Sequence, residues 1–294
     1  MTDGLRLRAA AVQLIGLSAL VVLAGIARAR LPFGELYPLK SAGWFALIAT
    51  LAVVFIREDT HPFRRLGPAN LVTMARAVLV ALVVGAIGEH VSPAVGASAA
   101  GASLAVTLMD GVDGWMARRS RMASRFGARF DMEIDALLIL GLAILTWQHG
   151  KAGAWVVLSG LLRYVFVAAG WLLPRMRQPL PDSRRRQTIC VVQLAGLIIA
   201  LEPFVAPPAS GLIAAITLTA LLYSFAIDTV WLLRHDIGVQ ADVAPAEAGR
   251  YIDDATLTTA GGPAFLSSSA GSGASTQRPG SRWAPAHSPT SRGS

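Results

Sequence analysis

Eight long apolar segments constrain the fold of this chain more than any other feature of its sequence. A membrane-spanning helix needs about 20 mostly apolar residues, and a backbone inside a bilayer must satisfy its polar groups within helices or closed barrels. The segments are residues 9–27, 41–56, 70–88, 92–112, 132–148, 153–173, 188–205 and 210–233. Proline and glycine punctuate the gaps between most of them. The sequence therefore predicts an all-α integral membrane protein.

The composition agrees with membrane embedding. Only 15% of the residues are charged, against about 25% in a typical soluble domain. The net charge of +8 comes from arginines that flank apolar segments, a pattern typical of loops facing anionic lipid heads. We therefore expect the lipid bilayer, and no nucleic acid, as the partner of these charges. The single cysteine, Cys190, excludes an intrachain disulfide and a cysteine metal cluster.

Arginine is concentrated in alternate connections between the segments. Several arginines lie before the third segment, after the fourth, and between the sixth and seventh, and Arg234 follows the eighth. By the positive-inside rule these connections face the cytoplasm, together with both termini. Arg28, Arg30 and Lys40 conflict mildly with this orientation. We expect a multi-pass protein of a bacterial-type inner or plasma membrane.

The stretch 109–138 concentrates charge between two apolar helices. Asp110 and Asp113 are three residues apart, and Asp131 and Asp135 are four apart. Each pair therefore lies on one face of its helix, and a basic turn joins the two helices. Small residues leave open space on the same faces: Gly114, Ala117 and Gly127.

Four converging carboxylates need a compensating cation, because they cannot all stay ionised unpaired. Arginines are one candidate, and divalent metal is the other. Hard oxygen ligands without His or Cys suit Mg²⁺ or Mn²⁺, and two-metal sites clamp phosphoryl groups. Arg118 could then bind a phosphate. The pattern indicates phosphoryl transfer at the membrane surface, whereas the other arginines of the stretch are typical of solvated ion pairs and lipid-head attraction.

The span from Asp110 to Asp135 reads D-x2-D-G-x2-A-R-x8-G-x3-D-x3-D. This resembles the signature of the CDP-alcohol phosphatidyltransferase family (class I). The resemblance implies a six-helix domain over residues 61–236. The two helices in residues 1–60 are then an N-terminal addition. Residues 237–294, rich in Ser, Gly and Pro, are expected to form a disordered cytoplasmic tail.

The resemblance also implies a reaction and a site at the cytoplasmic face. Members transfer a phosphatidyl group from CDP-diacylglycerol to an alcohol, with release of CMP, in phospholipid biosynthesis. They hold two divalent ions, Mg²⁺ or Mn²⁺, through aspartates that match Asp110, Asp113, Asp131 and Asp135, and the last acts as general base. The element "NLVTMAR" and the signature together supply the expected CDP-lipid contacts: Asn70, Thr73, Arg76, Gly114, Ala117, Arg118, Ser124 and Gly127. A homodimer is a further expectation from the family.

Arginines outside the signature are candidates for binding the acceptor. Arg163 lies within the sixth segment, where it needs a polar cavity or an ion-pair partner, such as a site aspartate. Arg184 and Arg186 open the seventh segment in a loose match to the basic element of enzymes that use glycerol phosphate or inositol phosphate. Asp228 could pair with one of these arginines. Glycerol 3-phosphate is our first acceptor, as in phosphatidylglycerophosphate synthases, and inositol phosphate or serine is the alternative.

A transporter is the competing interpretation from another class. It would line a path with intramembrane Asp and Arg residues at several depths, often within an internal repeat. The chain shows no such repeat, and its acidic residues are confined to one edge. The enzyme interpretation is therefore preferred.

Overall fold

The computed structural model describes residues 3–55, 68–120, 125–173, 176, 180 and 183–234. Within these ranges all regular secondary structure is helical, as the sequence predicts. A 3₁₀ turn, Ala154–Val157, precedes α6. The α-helices are α1 Asp3–Arg30, α2 Tyr37–Phe55, α3 Pro68–Gly85, α4 Pro93–Ser120, α5 Arg125–Gln148, α6 Leu158–Leu172, α7 Arg184–Leu201 and α8 Ala209–Arg234. The predicted tail, 237–294, lies outside the described residues.

The helices differ from the predicted segments mainly at their ends. α4 and α5 continue into the charged stretch, because arginine, methionine and alanine sustain a helix as readily as apolar residues do. The third segment was predicted to reach residue 88, but α3 ends at Gly85 and Gly88 adopts a φ of 76°. Such a positive φ favours glycine and ends the helical path. The seventh segment was predicted to reach residue 205, but α7 ends at Leu201, shortly before Pro203.

Among the described residues, four stretches are long and apolar enough to cross a membrane. They are Ala11–Arg30, Pro93–Gly111, Ala154–Leu172 and Ala209–Arg234. Leu71–Gly85 is a shorter apolar helix. For the other predicted segments, membrane crossing stays a prediction.

Helix α3 lies at the centre of the described bundle. It contacts α1, α2, α4 and α5, and its Ala77, Val80 and Ala81 are fully buried. Helix α6 approaches α5 at Gly160, where an added Cβ would lie 2.4 Å from Leu140 Cα. A contact this short is possible only without a side chain. The helix that carries two of the signature aspartates is therefore packed against α3 on one side and α6 on another.

A polar cluster attaches α1 and α2 to the rest of the bundle. The Glu89 carboxylate, between α3 and α4, accepts the Gly34 N–H at 2.6 Å and pairs with Lys40. Tyr37 Oη donates to the Leu82 carbonyl at 3.1 Å. Burial raises the pKa of Glu89, but the hydrogen bonds from Lys40 and Gly34, with the Lys40 charge, outweigh it and leave the pKa lowered. Lys40, which conflicts with the orientation predicted by the positive-inside rule, is thus neutralised by the Glu89 carboxylate.

Candidate active site

Three aspartates of the signature meet where α4 and α5 converge. Asp110 comes from α4, and Asp131 and Asp135 lie one turn apart at the start of α5. One carboxylate oxygen from each residue lies within 4.8 Å of the other two. All three side chains are partly exposed, at 21–38%. The structure therefore brings together residues that are 25 positions apart in sequence, as the spacing predicts.

A guanidinium from α3 lies among these carboxylates. Arg76 is fully buried, and its Nη1 lies 2.9 Å from Asp110 Oδ1. Its Nη1 also pairs with Asp131 and its Nη2 with Asp135. The sequence predicted that Arg76 would contact the nucleotide, and it allowed arginine or metal as the compensating cation. Arg76 is one such cation, since it contacts all three carboxylates. These charged partners in turn offset the cost of burying its guanidinium.

The same residues also fit divalent metal. Mg²⁺ binds oxygen at about 2.0–2.1 Å, so opposite ligands of one ion lie about 4.2 Å apart. The 4.8 Å limit on the oxygen separations is close to that span. The Arg76 guanidinium carries one positive charge against three carboxylates. The remaining negative charge favours the binding of a further cation. Asp110, Asp131 and Asp135 are thus the described residues that could hold a metal ion.

Two predicted CDP-lipid contacts are described near this cluster. Thr73 is buried one turn before Arg76 on α3, and Gly127 is half-buried in the first turn of α5. The remaining predictions fall on side chains or residues outside the described part of the chain: Asn70, Asp113, Gly114, Ala117, Arg118 and Ser124. Their roles stay predictions.

The sequence model of the CDP-alcohol phosphatidyltransferase family matches residues 67–230, more than half of the chain. The chain belongs to this family. No curated protein and no solved structure matches the chain significantly. Family membership, with the four apolar stretches, identifies a multi-pass membrane transferase that moves a phosphatidyl group from a CDP-alcohol to an acceptor. α1 and α2 precede the matched region.

In this CDP-alcohol phosphatidyltransferase, Arg163 pairs with a residue that sequence reasoning did not choose. Its Nε lies 3.4 Å from Glu133 Oε2, and its Nη2 also bonds to Glu133. Glu133 lies on α5 between the two site aspartates in sequence. The expected partners were a site aspartate or an anionic acceptor. The observed contact is an interhelical ion pair, and the predicted role in acceptor binding stays a prediction.

A second charged cluster joins the start of α7 to the last turns of α8. Arg185 Nη1 donates to the Ser224 carbonyl at 2.8 Å and to Ser224 Oγ at 2.6 Å, and its Nη2 pairs with Asp228. Arg186 Nη1 lies 3.6 Å from the same carboxylate, whereas Arg184 is exposed. The expected pairing of Asp228 with one of these arginines is therefore present. Sequence reasoning missed Arg185 as its nearest partner, because the sequence does not indicate which of the neighbouring arginines of α7 faces α8.

Proposed function

We propose that this membrane transferase uses CDP-diacylglycerol as donor and a small alcohol as acceptor in phospholipid biosynthesis. The observation that carries the proposal is the convergence of Asp110, Asp131 and Asp135 at Arg76, within an unbroken family signature. A lipid donor with a charged diphosphate requires an acidic, metal-compatible site at the edge of an apolar bundle. The arginine-rich connections support a cytoplasmic location for this edge, in a bacterial-type inner membrane.

The chemistry follows from the positions of the carboxylates. Two divalent ions, Mg²⁺ or Mn²⁺, held by Asp110, Asp113, Asp131 and Asp135, would neutralise the charge of the donor diphosphate. Asp135 accepts the proton of the acceptor hydroxyl. The acceptor oxygen bonds to the phosphorus that carries diacylglycerol, the bond from that phosphorus to CMP breaks, and CMP leaves with the electron pair.

Arg76 acts on this site by orienting its carboxylates. The guanidinium bonds to Asp131 and Asp135 together, one turn apart on the same helix. Its planar fork fixes both side chains more strongly than a lysine could. Thr73 and Gly127 flank the cluster and suit contacts with the cytidine diphosphate.

Glycerol 3-phosphate is the acceptor that we propose first. The cationic start of α7, with Arg184 and Arg186, suits the phosphate of an anionic acceptor. Arg163 could serve the same purpose if its bond to Glu133 opens. Inositol phosphate would use the same charges, whereas serine would need them less. A homodimer remains part of the proposal on the basis of the family alone.

Release of CMP from CDP-diacylglycerol by the purified protein tests this function. The assay includes Mg²⁺ or Mn²⁺ and a panel of acceptors, with glycerol 3-phosphate first. We expect CMP release with one acceptor, loss of at least about 100-fold in Asp135→Asn, from removal of a general base, and no loss with Glu35→Gln. Glu35 is an exposed carboxylate between α1 and α2, so it serves as a matched control. No CMP release by the wild-type protein with any acceptor, or equal activity of wild type and Asp135→Asn, would refute the proposal.

A further inference from the structure

Gln193 of α7 is a buried polar side chain with no part in the site described above. It is fully buried, and neither its Nε2 nor its Oε1 has a hydrogen-bond partner among the described residues. An amide without hydrogen bonds destabilises a folded protein, because burial removes its bonds to water. Polar side chains inside a membrane bundle are expensive and mark functional positions. A ligand with a hydroxyl group would supply a partner for both atoms, since a hydroxyl donates and accepts.

Helices α5, α6, α7 and α8 form a ring around the position of Gln193. α7 contacts α5 and α8, and α6 contacts the same two helices. The side chains of Phe166 and Phe225 join α6 to α8, with their ring centroids 5.6 Å apart. The ring thus combines α5, which carries Asp135 of the candidate active site, with α6, which carries Arg163.

Two neighbours of Gln193 on α7 define the direction of its side chain. Cys190 faces α5, because its thiol interacts more strongly with the charge of Asp135 than with any other charge. Gly196 faces α8, where an added Cβ would overlap Thr217. Gln193 is three residues from each, so at about 100° per residue it lies between these two faces, about 60° from either. That direction is the centre of the ring, and a helical side chain leans toward the N-terminus of its helix, which brings the amide toward the level of Cys190.

We propose that Gln193 binds a hydroxyl group of the acceptor alcohol, the one next to the hydroxyl that attacks phosphorus; this inference rests on the proposed function. The attacking hydroxyl lies at Asp135, the proposed general base, whose charge acts on Cys190 one turn before Gln193. The expected contacts of the donor lie elsewhere, since Thr73 is on α3 and Gly127 is in the first turn of α5. The amide of Gln193 accepts one hydrogen bond from the hydroxyl or donates one to it.

Arg186 extends the same face of α7 toward the start of the helix. It precedes Gln193 by seven residues, which is about two turns and about 10 Å along the helix axis. An acceptor phosphate at Arg186 and a hydroxyl at Gln193 are then opposite ends of one small molecule. The assignment selects polyol phosphates, such as glycerol 3-phosphate or an inositol phosphate, over serine, which has no second hydroxyl.

A pair of acceptors tests this assignment in the CMP-release assay. One is the polyol phosphate that the protein uses best, and the other is its deoxy analogue without the hydroxyl beside the attacking one; for glycerol 3-phosphate the analogue is 3-hydroxypropyl phosphate. We expect the wild type to favour the full acceptor by at least about tenfold in kcat/KM, because the analogue leaves the amide unpaired. Gln193→Leu should reduce this preference to less than about twofold, since no amide is left to bond. Gln187→Leu, at an exposed position of the same helix, should keep the preference.

A purely structural role of Gln193 predicts a different result, namely equal losses of kcat/KM for both acceptors. That result would overturn the proposal, as would an unchanged preference in Gln193→Leu. Serine as the only acceptor would also overturn it.

Saturation-transfer NMR provides a readout that needs neither turnover nor a variant. The wild-type protein in detergent micelles with Mg²⁺ and without donor is mixed with the same pair of acceptors, or with glycerol 3-phosphate and its analogue if no CMP is released. We expect a stronger signal from the full acceptor than from the deoxy analogue, and equal signals would overturn the assignment. Failure of the proposed function is a separate result, namely no CMP release by the wild-type protein with any acceptor.

Discussion

The position of Arg76 predicts that its replacement destabilises the protein most when divalent metal is absent. Arg76→Met keeps a long apolar stem but removes the charge that three carboxylates share. For the 2.9 Å contact with Asp110, Coulomb's law with an effective dielectric of about 20 gives about 6 kcal/mol of gross attraction. Breaking a buried ion pair typically costs about 3–5 kcal/mol. We expect about 3 kcal/mol here, because the carboxylates are partly exposed to screening solvent.

Unfolding of the purified protein in detergent, with EDTA or with Mg²⁺, measures this effect. A loss of about 3 kcal/mol changes the ratio of folded to unfolded protein about 150-fold. Mg²⁺ should restore much of the loss, because an ion among the carboxylates supplies the missing positive charge. Metal affinity, followed by calorimetry, should rise in Arg76→Met, because a competing cation is gone.

Two controls separate the charge of Arg76 from its size and position. Arg76→Lys keeps the charge without the planar fork and should fall between wild type and Arg76→Met. Arg129→Met removes an exposed arginine of α5 and should change stability by less than about 0.5 kcal/mol. An equal loss for Arg76→Met in EDTA and in Mg²⁺, or no loss in either, would refute the argument that this guanidinium and a metal ion compensate the same carboxylates.

Three further predictions concern stability, and unfolding in detergent tests each of them. Gly160→Ala should lower the free energy of unfolding by about 1–3 kcal/mol, because the added methyl group would overlap the backbone of α5. Gly101→Ala places its methyl group in open space and should be neutral or stabilising. Equal effects of the two substitutions would contradict the close approach of α6 to α5. Arg185→Met should cost about 2 kcal/mol, because Arg186 is the more distant arginine that remains near the buried Asp228 carboxylate among the described residues. Arg184→Met, at an exposed position, should cost less than about 0.5 kcal/mol. A larger loss for Arg184→Met than for Arg185→Met would contradict the pairing of Arg185 with Asp228. Glu89→Gln should remove a contribution that is present above the ordinary carboxyl pKa of 4.5 and is lost as the pH falls through the lowered folded value. The stability difference between wild type and Glu89→Gln should therefore shrink below pH 4.5, and a difference that grows there would have the wrong sign.

The helices and the acidic cluster could be predicted because their signals are local. Apolar runs mark helices whatever their neighbours are, and residues three or four apart share a helix face. Asp131 and Asp135 therefore lie on the same face of α5 wherever that helix forms. Their approach to Asp110 followed from the short connection between α4 and α5.

The partners of the arginines could not be predicted, because they depend on how whole helices rotate and pack. Nothing in the sequence around Arg76 indicates that it bonds to residues 55 and 59 positions later. The choice between Arg185 and Arg186 depends on a rotation of α7 by about 100°, the turn per residue of a helix. The bond from Gly34 to Glu89 likewise joins two loops that carry no mutual sequence signal.

The burial of Arg76 has a consequence for how the chain is made. α3 leaves the ribosome before the aspartates of α5, which follow Arg76 by 55 and 59 residues. At about 5–20 residues per second, synthesis of that interval takes roughly 3–12 s. An arginine within a membrane helix costs about 2.5–3.5 kcal/mol on insertion scales until it finds partners. During those seconds Asp110 of α4 is the first of the three carboxylates to become available to Arg76, and the two carboxylates of α5 then complete its set of partners.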